Sequence, residues 1–324
     1  MTDSLVMPDH FVLDYPANEP YWSETSWFSL SIPERGINGW LYYHFRPNMN
    51  CMLAGPALWD GHSQKAWQFI AFDWQQMRVL PQGRYGIDYN KYDFSTPWGM
   101  TVKTIEPMQR YQLRYQRDHL SMDLEWTAIA PANLKQGTTA QQQAGSYRLH
   151  FEQPGRMTGH IVVDGQPYDV DCYAMRDGGH GSRFMESVKP GGYAWAIADE
   201  QTAWHVLAPN SGEGPSHNIR EGFLLRDGQS APLISGQRTV IERQGPRAIV
   251  TEITARDSLG RALHARGVSI ASAELMLFPD RGQWWSLYEW TFDGQSASGE
   301  DQEYYGIQEF RRWHREDPAK WPLR

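Results

Sequence analysis

Cysteine, clustered basic residues, long apolar runs and helical periodicity are all scarce in this sequence, and each scarcity closes off a class of protein. Only Cys51 and Cys172 occur among 324 residues. They show no Cys-x-x-Cys spacing, so two incidental thiols in a cytoplasmic chain are expected rather than a disulfide framework. No stretch approaches the roughly 20 apolar residues that cross a bilayer as a helix, and no membrane span is expected. The opening residues Met1–His10 carry neither a basic nor an apolar region, which reads as the absence of a signal peptide. Thirty Lys and Arg stand against 38 Asp and Glu, a formal charge of −8. With no basic run to offset it, a nucleic-acid partner is not expected. No Gly-rich phosphate loop opens a helix, and no Gly-x-Ser-x-Gly elbow occurs. The 11 histidines are scattered singly, without metal-ligand spacing. No cofactor and no metal are therefore expected.

Aromatic residues, by contrast, are abundant: 15 Trp, 16 Tyr and 12 Phe. Strands favour such residues, and a surplus beyond the core suits the walls of a concave apolar site. Short β-branched or aromatic runs recur throughout, among them Gly39–Phe45, Gln68–Phe72, Tyr111–Tyr115, Ser121–Trp126, Met157–Val163, Ala194–Ile197, Ala248–Ile253 and Trp284–Trp290. Between runs lie Asp60-Gly61, Asp164-Gly165, Asp227-Gly228 and Asp293-Gly294, pairs suited to the positive φ of tight hairpins. The fold class expected is all-β, with two antiparallel barrels or sandwiches. The hairpin around Val162–Tyr173 is the best junction, giving domains 1–168 and 169–324. Gln136–Gly145 reads as a solvated loop, and Tyr305–Trp313 as a helical turn or a closing strand.

The segment Arg176-Asp177-Gly178-Gly179-His180-Gly181-Ser182-Arg183 is the best candidate site. As a glycine-turned loop it would gather a carboxylate, an imidazole and two guanidiniums. Asp177 would orient His180 or hold a charge, and His180 would serve as general acid or base. Arg176 and Arg183 would steady a carboxylate or a developing oxyanion. A buried ion pair pinning a strand end explains the same residues without chemistry. Trp59-Asp60-Gly61-His62 reads first as a hairpin turn. Tyr193, Trp195 and Trp284 are candidate cavity walls, with core packing as the alternative. Glu289, among Trp284, Trp285, Tyr288 and Trp290, would be a raised-pKa carboxyl if it faced inward and an ordinary surface residue if it faced out.

Three stretches carry a family resemblance. The first joins Glu24-Thr25-Ser26-Trp27-Phe28 to Ile32-Pro33-Glu34-Arg35-Gly36-Ile37-Asn38-Gly39-Trp40 and Arg46-Pro47-Asn48. The second is His150-Phe151-Glu152-Gln153-Pro154-Gly155-Arg156-Met157-Thr158-Gly159 with Val163-Asp164-Gly165. The third is Arg176–Arg183. Together they resemble the lipocalin-like, calycin-type double-barrel proteins, a group that includes the AttH-like and hydroxyneurosporene synthase (carotenoid hydratase) families, and in particular a branch of two-part bacterial proteins. The resemblance implies two barrels side by side and an apolar cavity for a terpenoid, steroid, aromatic or polyketide-like molecule. It also implies metal-free protonation of a double bond, with aromatic faces to stabilise the cation. The third stretch departs from the family pattern Arg-Asp-His-Ser-Trp-Gly-x-Arg, since Gly178 and His180 replace its His and Trp.

The function expected is thus a cofactor-independent acid/base lyase, hydratase, isomerase or cyclase acting on a hydrophobic small molecule. Asp177 and His180 would be catalytic, with Arg176, Arg183, Tyr193, Trp195, Trp284 and Glu289 binding substrate. The alternative is a lipocalin-like carrier, and a purely structural scaffold is a third reading. A homodimer is compatible with either.

Overall fold

The computed structural model describes residues 15–83, 86–88, 93–139, 142, 147–183, 191–209, 214–278 and 280–316. Met1–His10 lies outside them, as does part of the Gln136–Gly145 loop. Contacts divide the chain into one unit of Met1–Ile32, Gly39–Leu58 and Ile70–Phe184, and a second of Pro33–Asn38, Trp59–Phe69 and Met185–Arg324.

The first sheet starts with β1 (Trp22–Ile32), β2 (Ile37–Arg46), β3 (Cys51–Trp59), β4 (Ala71–Phe72), β5 (Gln75–Val79) and β6 (Phe94–Ser95). It continues with β7 (Met100–Glu106), β8 (Arg110–Gln116), β9 (Leu120–Ala128), β10 (Asn133–Gln136), β11 (Leu149–Val163) and β12 (Gln166–Ser182). Its order is β4-β3-β2-β1-β12-β11-β9-β8-β7-β6, with β5 joined to β3 and β10 to β11. This sheet is an open half-barrel. Its outer strands β4 and β6 are two residues long. In β5, Met77 takes a φ of +54° where the register with β3 shifts.

The second sheet holds β13 (Gly191–Asp199), β14 (Thr202–Pro209), β15 (Ser216–Asn218), β16 (Glu221–Arg226) and β17 (Gln229–Gln244). It ends with β18 (Arg247–Asp257), β19 (Ala262–Phe278), β20 (Arg281–Phe292) and β21 (Gln295–Gly306). Pairing of β17 with both β16 and β18 closes eight of these strands into an antiparallel barrel, β15 adding to β17. Trp204, Ile253, Leu263, Tyr288, Trp290 and Phe292 fill the lumen, where the rings of Trp204 and Trp290 meet edge to face at 4.8 Å. Such packing, repeated from alternate residues of every strand, is the main source of stability in a small barrel.

The sequence-level turn signals act as expected in three places. Asp164-Gly165, Asp227-Gly228 and Asp293-Gly294 all have positive φ at both residues, the twist that two-residue hairpins require. Asp60-Gly61 is different. There Asp60 Oδ1 accepts bonds from the His62 and Ser63 amides and the Ser63 hydroxyl, so the carboxylate folds a longer loop instead of a tight hairpin. The Val162–Tyr173 hairpin joins β11 to β12 inside the first sheet, and the contact-defined units divide after Phe184. After β21 the chain turns into a helix, Ile307–Glu316. Cys51 and Cys172 are free and buried.

Candidate functional site

Arg176–Ser182 is a strand, not a loop. Asp177 lies opposite Trp27 of β1 and Glu152 of β11, and His180 opposite Glu24 and Leu149. The glycines make room rather than turns. A Cβ on Gly178 would lie 2.8 Å from the Phe151 ring, and one on Gly179 would lie 3.0 Å from His150 Cδ2. Because side chains alternate along a strand, Arg176 and His180 share one face and Asp177 takes the other. The expected Asp177–His180 couple is therefore not assembled.

Arg176 is wholly buried among aromatic rings. Its guanidinium carbon is 4.0 Å from the centre of Tyr111 and 4.9 Å from that of Phe151, with Phe28 at 5.3 Å and Trp126 at 5.8 Å. Nη1 donates to the Tyr111 hydroxyl at 2.7 Å. Cation–π contact and this bond hold the charge inside the sheet, which makes Arg176 an anchor of the first core. His180 is stacked on Trp22 at 6.0 Å. Burial, helped by Arg148, lowers its pKa to about 4, so the ring is neutral at pH 7.

The opposite face of β12 carries a different assembly. Glu152, buried beside Asp177, is bound by Lys135 Nζ at 2.7 Å and by His150 Nδ1 at 3.1 Å. Lys135 and His150 face each other across β10 and β11, and Tyr147 packs on the imidazole at 5.5 Å. Asp177 itself is half-buried. Burial raises its pKa to about 6, with Glu152 also raising it while His150, Arg183 and Lys135 lower it. Two carboxyls, an imidazole and an ammonium thus meet where the second and third resemblance stretches pair. The imidazole belongs to His150, two residues ahead of Glu152, and not to His180. Sequence reading had the signal in His150-Phe151-Glu152, whose spacing of two puts both polar residues on one strand face.

In the second unit, Tyr193 packs on His205 at 4.4 Å. Trp284 stacks under the C-terminal helix, 4.7 Å from Phe310. Glu289 is exposed opposite Val268, because its neighbours Tyr288 and Trp290 take the lumen; alternation leaves it no cavity to line. Trp195 leads instead to a residue that sequence reading missed. Its Nε1 donates to Glu300 Oε2 at 3.4 Å, as do Trp285 Nε1 at 2.6 Å and Gln302 Nε2 at 2.8 Å. Asn38 Nδ2 donates to Oε1 at 2.9 Å.

Glu300 is fully buried, and its pKa rises to about 7 because burial outweighs those four donors. The folded state therefore holds this proton more tightly than the unfolded chain. Its contribution to stability is largest at low pH and is lost as pH climbs from the ordinary glutamate range through about 7, by about 3 kcal/mol. Glu300→Gln keeps an oxygen for three donors, and the Asn38 amide can flip to accept from the new NH2. Urea unfolding between pH 4.5 and 7.5 should show a flatter pH dependence in the variant; an unchanged slope would assign it elsewhere.

Among the described residues, no group of three His, Cys, Asp or Glu is placed to hold a metal ion, and no helix is long and apolar enough to cross a membrane.

Solved structures share this architecture. A protein described as AttH from Nitrosomonas europaea matches with a TM-score of 0.61 at 14% identity, covering 94% of this chain and 98% of that one. Kievitone hydratase from Nectria haematococca gives 0.52 at 11% identity, with 88% of each chain covered. CghA with Sch210972 gives 0.57 at 9% identity, with 89% of each covered. At such identities the likeness concerns the fold, which is the lipocalin-like two-barrel type that the resemblance implied. A search of curated proteins gave no match. The profile described as a domain of unknown function (DUF7064) matches residues 8–300, nearly the whole chain, and the protein belongs to that family.

Proposed function

We propose that this protein is a cofactor-independent acid/base enzyme that adds a proton to, or removes one from, carbon in a hydrophobic small molecule. The observation that carries this reading is the Asp177–Glu152–His150–Lys135 assembly on one face of β11 and β12. Asp177 is the proton donor, since its environment keeps the carboxyl protonated closer to neutrality than water does. In a hydration, that proton passes to one alkene carbon and water bonds to the other. The proton lost by the water then returns to the ionised Asp177, with His150 and the Glu152 ion pair holding the local field. Isomerisation uses the same first step and loses a different carbon proton. The hydratase named among the structural neighbours supports this class, and the aromatic content of both units suits an apolar substrate.

The test uses whatever small molecule copurifies, identified by native mass spectrometry. Incubated with the protein in D2O, that molecule should gain carbon-bound deuterium with wild-type protein and none with Asp177→Asn. A ligand that stays bound, unlabelled and chemically unchanged with wild type would replace the enzyme by the carrier.

A further inference from the structure

Arg46 closes β2, and Arg183 follows the last residue of β12. Arg46 is 8% exposed. Its Nη1 donates to the Tyr21 carbonyl at 2.9 Å and to the Arg183 carbonyl at 3.4 Å, and Nη2 donates to the latter at 3.3 Å. The Arg183 amide donates to the same Tyr21 carbonyl at 3.0 Å. Backbone thus ties two guanidinium residues together, yet among the described residues no carboxylate forms an ion pair with either one.

Arg238, the fully buried guanidinium of the second unit, has Asp301 and Glu303 within ion-pair distance instead. Burial and the charge of Arg183 both lower the Arg46 pKa. His44, on the same face of β2 two residues earlier, is pushed well below the usual histidine range by burial and by both arginines, so it adds no third charge. Two positive charges with no carboxylate at ion-pair distance among the described residues, one of them buried, form an arrangement that an anion would stabilise. The rim carries an aromatic ring: that of Tyr21 lies 5.9 Å from the Arg46 guanidinium and is itself 45% exposed.

We propose that Arg46 and Arg183 form a binding site for the carboxylate of an otherwise apolar small molecule. A planar guanidinium matches a carboxylate through two parallel N–H bonds, while Tyr21 receives the adjoining carbon chain. Two cationic heads around a neutral imidazole suit one such anion. The charge of Arg183 is also felt at Asp177, so, if the proton-transfer reading holds, the carboxylate anchors substrate beside the acid. Binding itself does not depend on that reading.

Decanoate and decanol, equal in chain length, are the probes, with affinity measured by isothermal titration calorimetry at pH 8 and low salt. Decanoate should bind at least about tenfold more tightly than decanol. Arg183→Met removes a side chain that makes no hydrogen bond among the described residues. It should weaken decanoate about tenfold or more and leave decanol unchanged. Arg46→Lys, which retains charge without the planar fork, should fall between. Equal binding of the two probes, no binding of decanoate, or wild-type decanoate affinity in Arg183→Met would overturn the site. Because no turnover is read, this failure is separable from a failure of the deuterium experiment.

Discussion

Replacing Asp177 with Asn should lower turnover by about 10²- to 10⁴-fold while the protein stays folded. Asparagine preserves the shape of the side chain and removes its transferable proton. The pH profile is the sharper readout. A general acid acts in its protonated form, and the Asp177 carboxyl, raised by burial and Glu152 to about 6, loses its proton above that value. Wild-type rate should therefore be level at low pH and fall about tenfold per pH unit above 6, a limb that the Asp177→Asn variant would not show. The same raised pKa has a stability consequence of matching sign. The folded state gains from the proton at low pH and loses that gain as pH rises from the ordinary aspartate range through about 6. His180→Ala is the control: that ring lies on the other strand face and is neutral, so the limb should persist. Its disappearance in His180→Ala, or its survival in Asp177→Asn, would overturn the assignment of the acid.

Asp301→Ala should cost about 3–5 kcal/mol of stability, read as a lower urea midpoint with an unchanged slope. Asp301 and Glu303 lie on successive lumen-facing positions of β21. Arg238 Nε and Nη2 meet the two Asp301 oxygens at 2.9 and 2.7 Å, and Thr251 Oγ1 donates to Oδ2 at 2.7 Å. Glu303 accepts from Arg243 at 2.9 Å through both oxygens. Burial alone would depress the Arg238 guanidinium, and the two carboxylates together lift it above its ordinary value instead. Removing Asp301 leaves that charge in the barrel with half of its compensation. The double variant Arg238→Met, Asp301→Leu removes both partners and should recover much of the loss, because an apolar pair needs no desolvation of charge. A double variant as unstable as the sum of the singles would instead place the whole effect in packing.

The all-β class was legible because its signals are local. Three Asp-Gly pairs adopt the positive φ that their chemistry favours, and the alternating runs around them became long strands. The geometry of the candidate segment was not legible. Reading the glycines of Arg176–Arg183 as turn-formers bent a straight strand and put Asp177 with His180, which takes the opposite strand face. Strand pairing decides such contacts, and pairing links residues far apart in sequence: His150 meets Gly179 across β11 and β12. Glu300 escaped notice for another reason. Gly-Glu-Asp-Gln-Glu looks like an exposed edge when one face is assumed to be wet. Here both faces of β21 are buried, one toward the lumen and one beneath the Asn38 and Trp285 side chains. Glu289 shows the converse, since a crowd of neighbouring aromatics does not bury a residue whose strand position points outward.

The half-barrel's outer strands bear on how this chain avoids its own kind. A closed ring leaves little unpaired backbone, and in the eight-stranded barrel β15 occupies the stretch of β17 that runs past β16. The open sheet has no such protection, and a β-rich, aromatic-rich protein with free margins is prone to run into sheets with its copies. Here the margins are poor templates. With two residues each, β4 and β6 present too few amides for a foreign strand to register against, and the left-handed kink at Met77 breaks the straight run of β5. Lengthening either two-residue strand, or straightening β5, would turn a harmless border into a nucleus for intermolecular assembly.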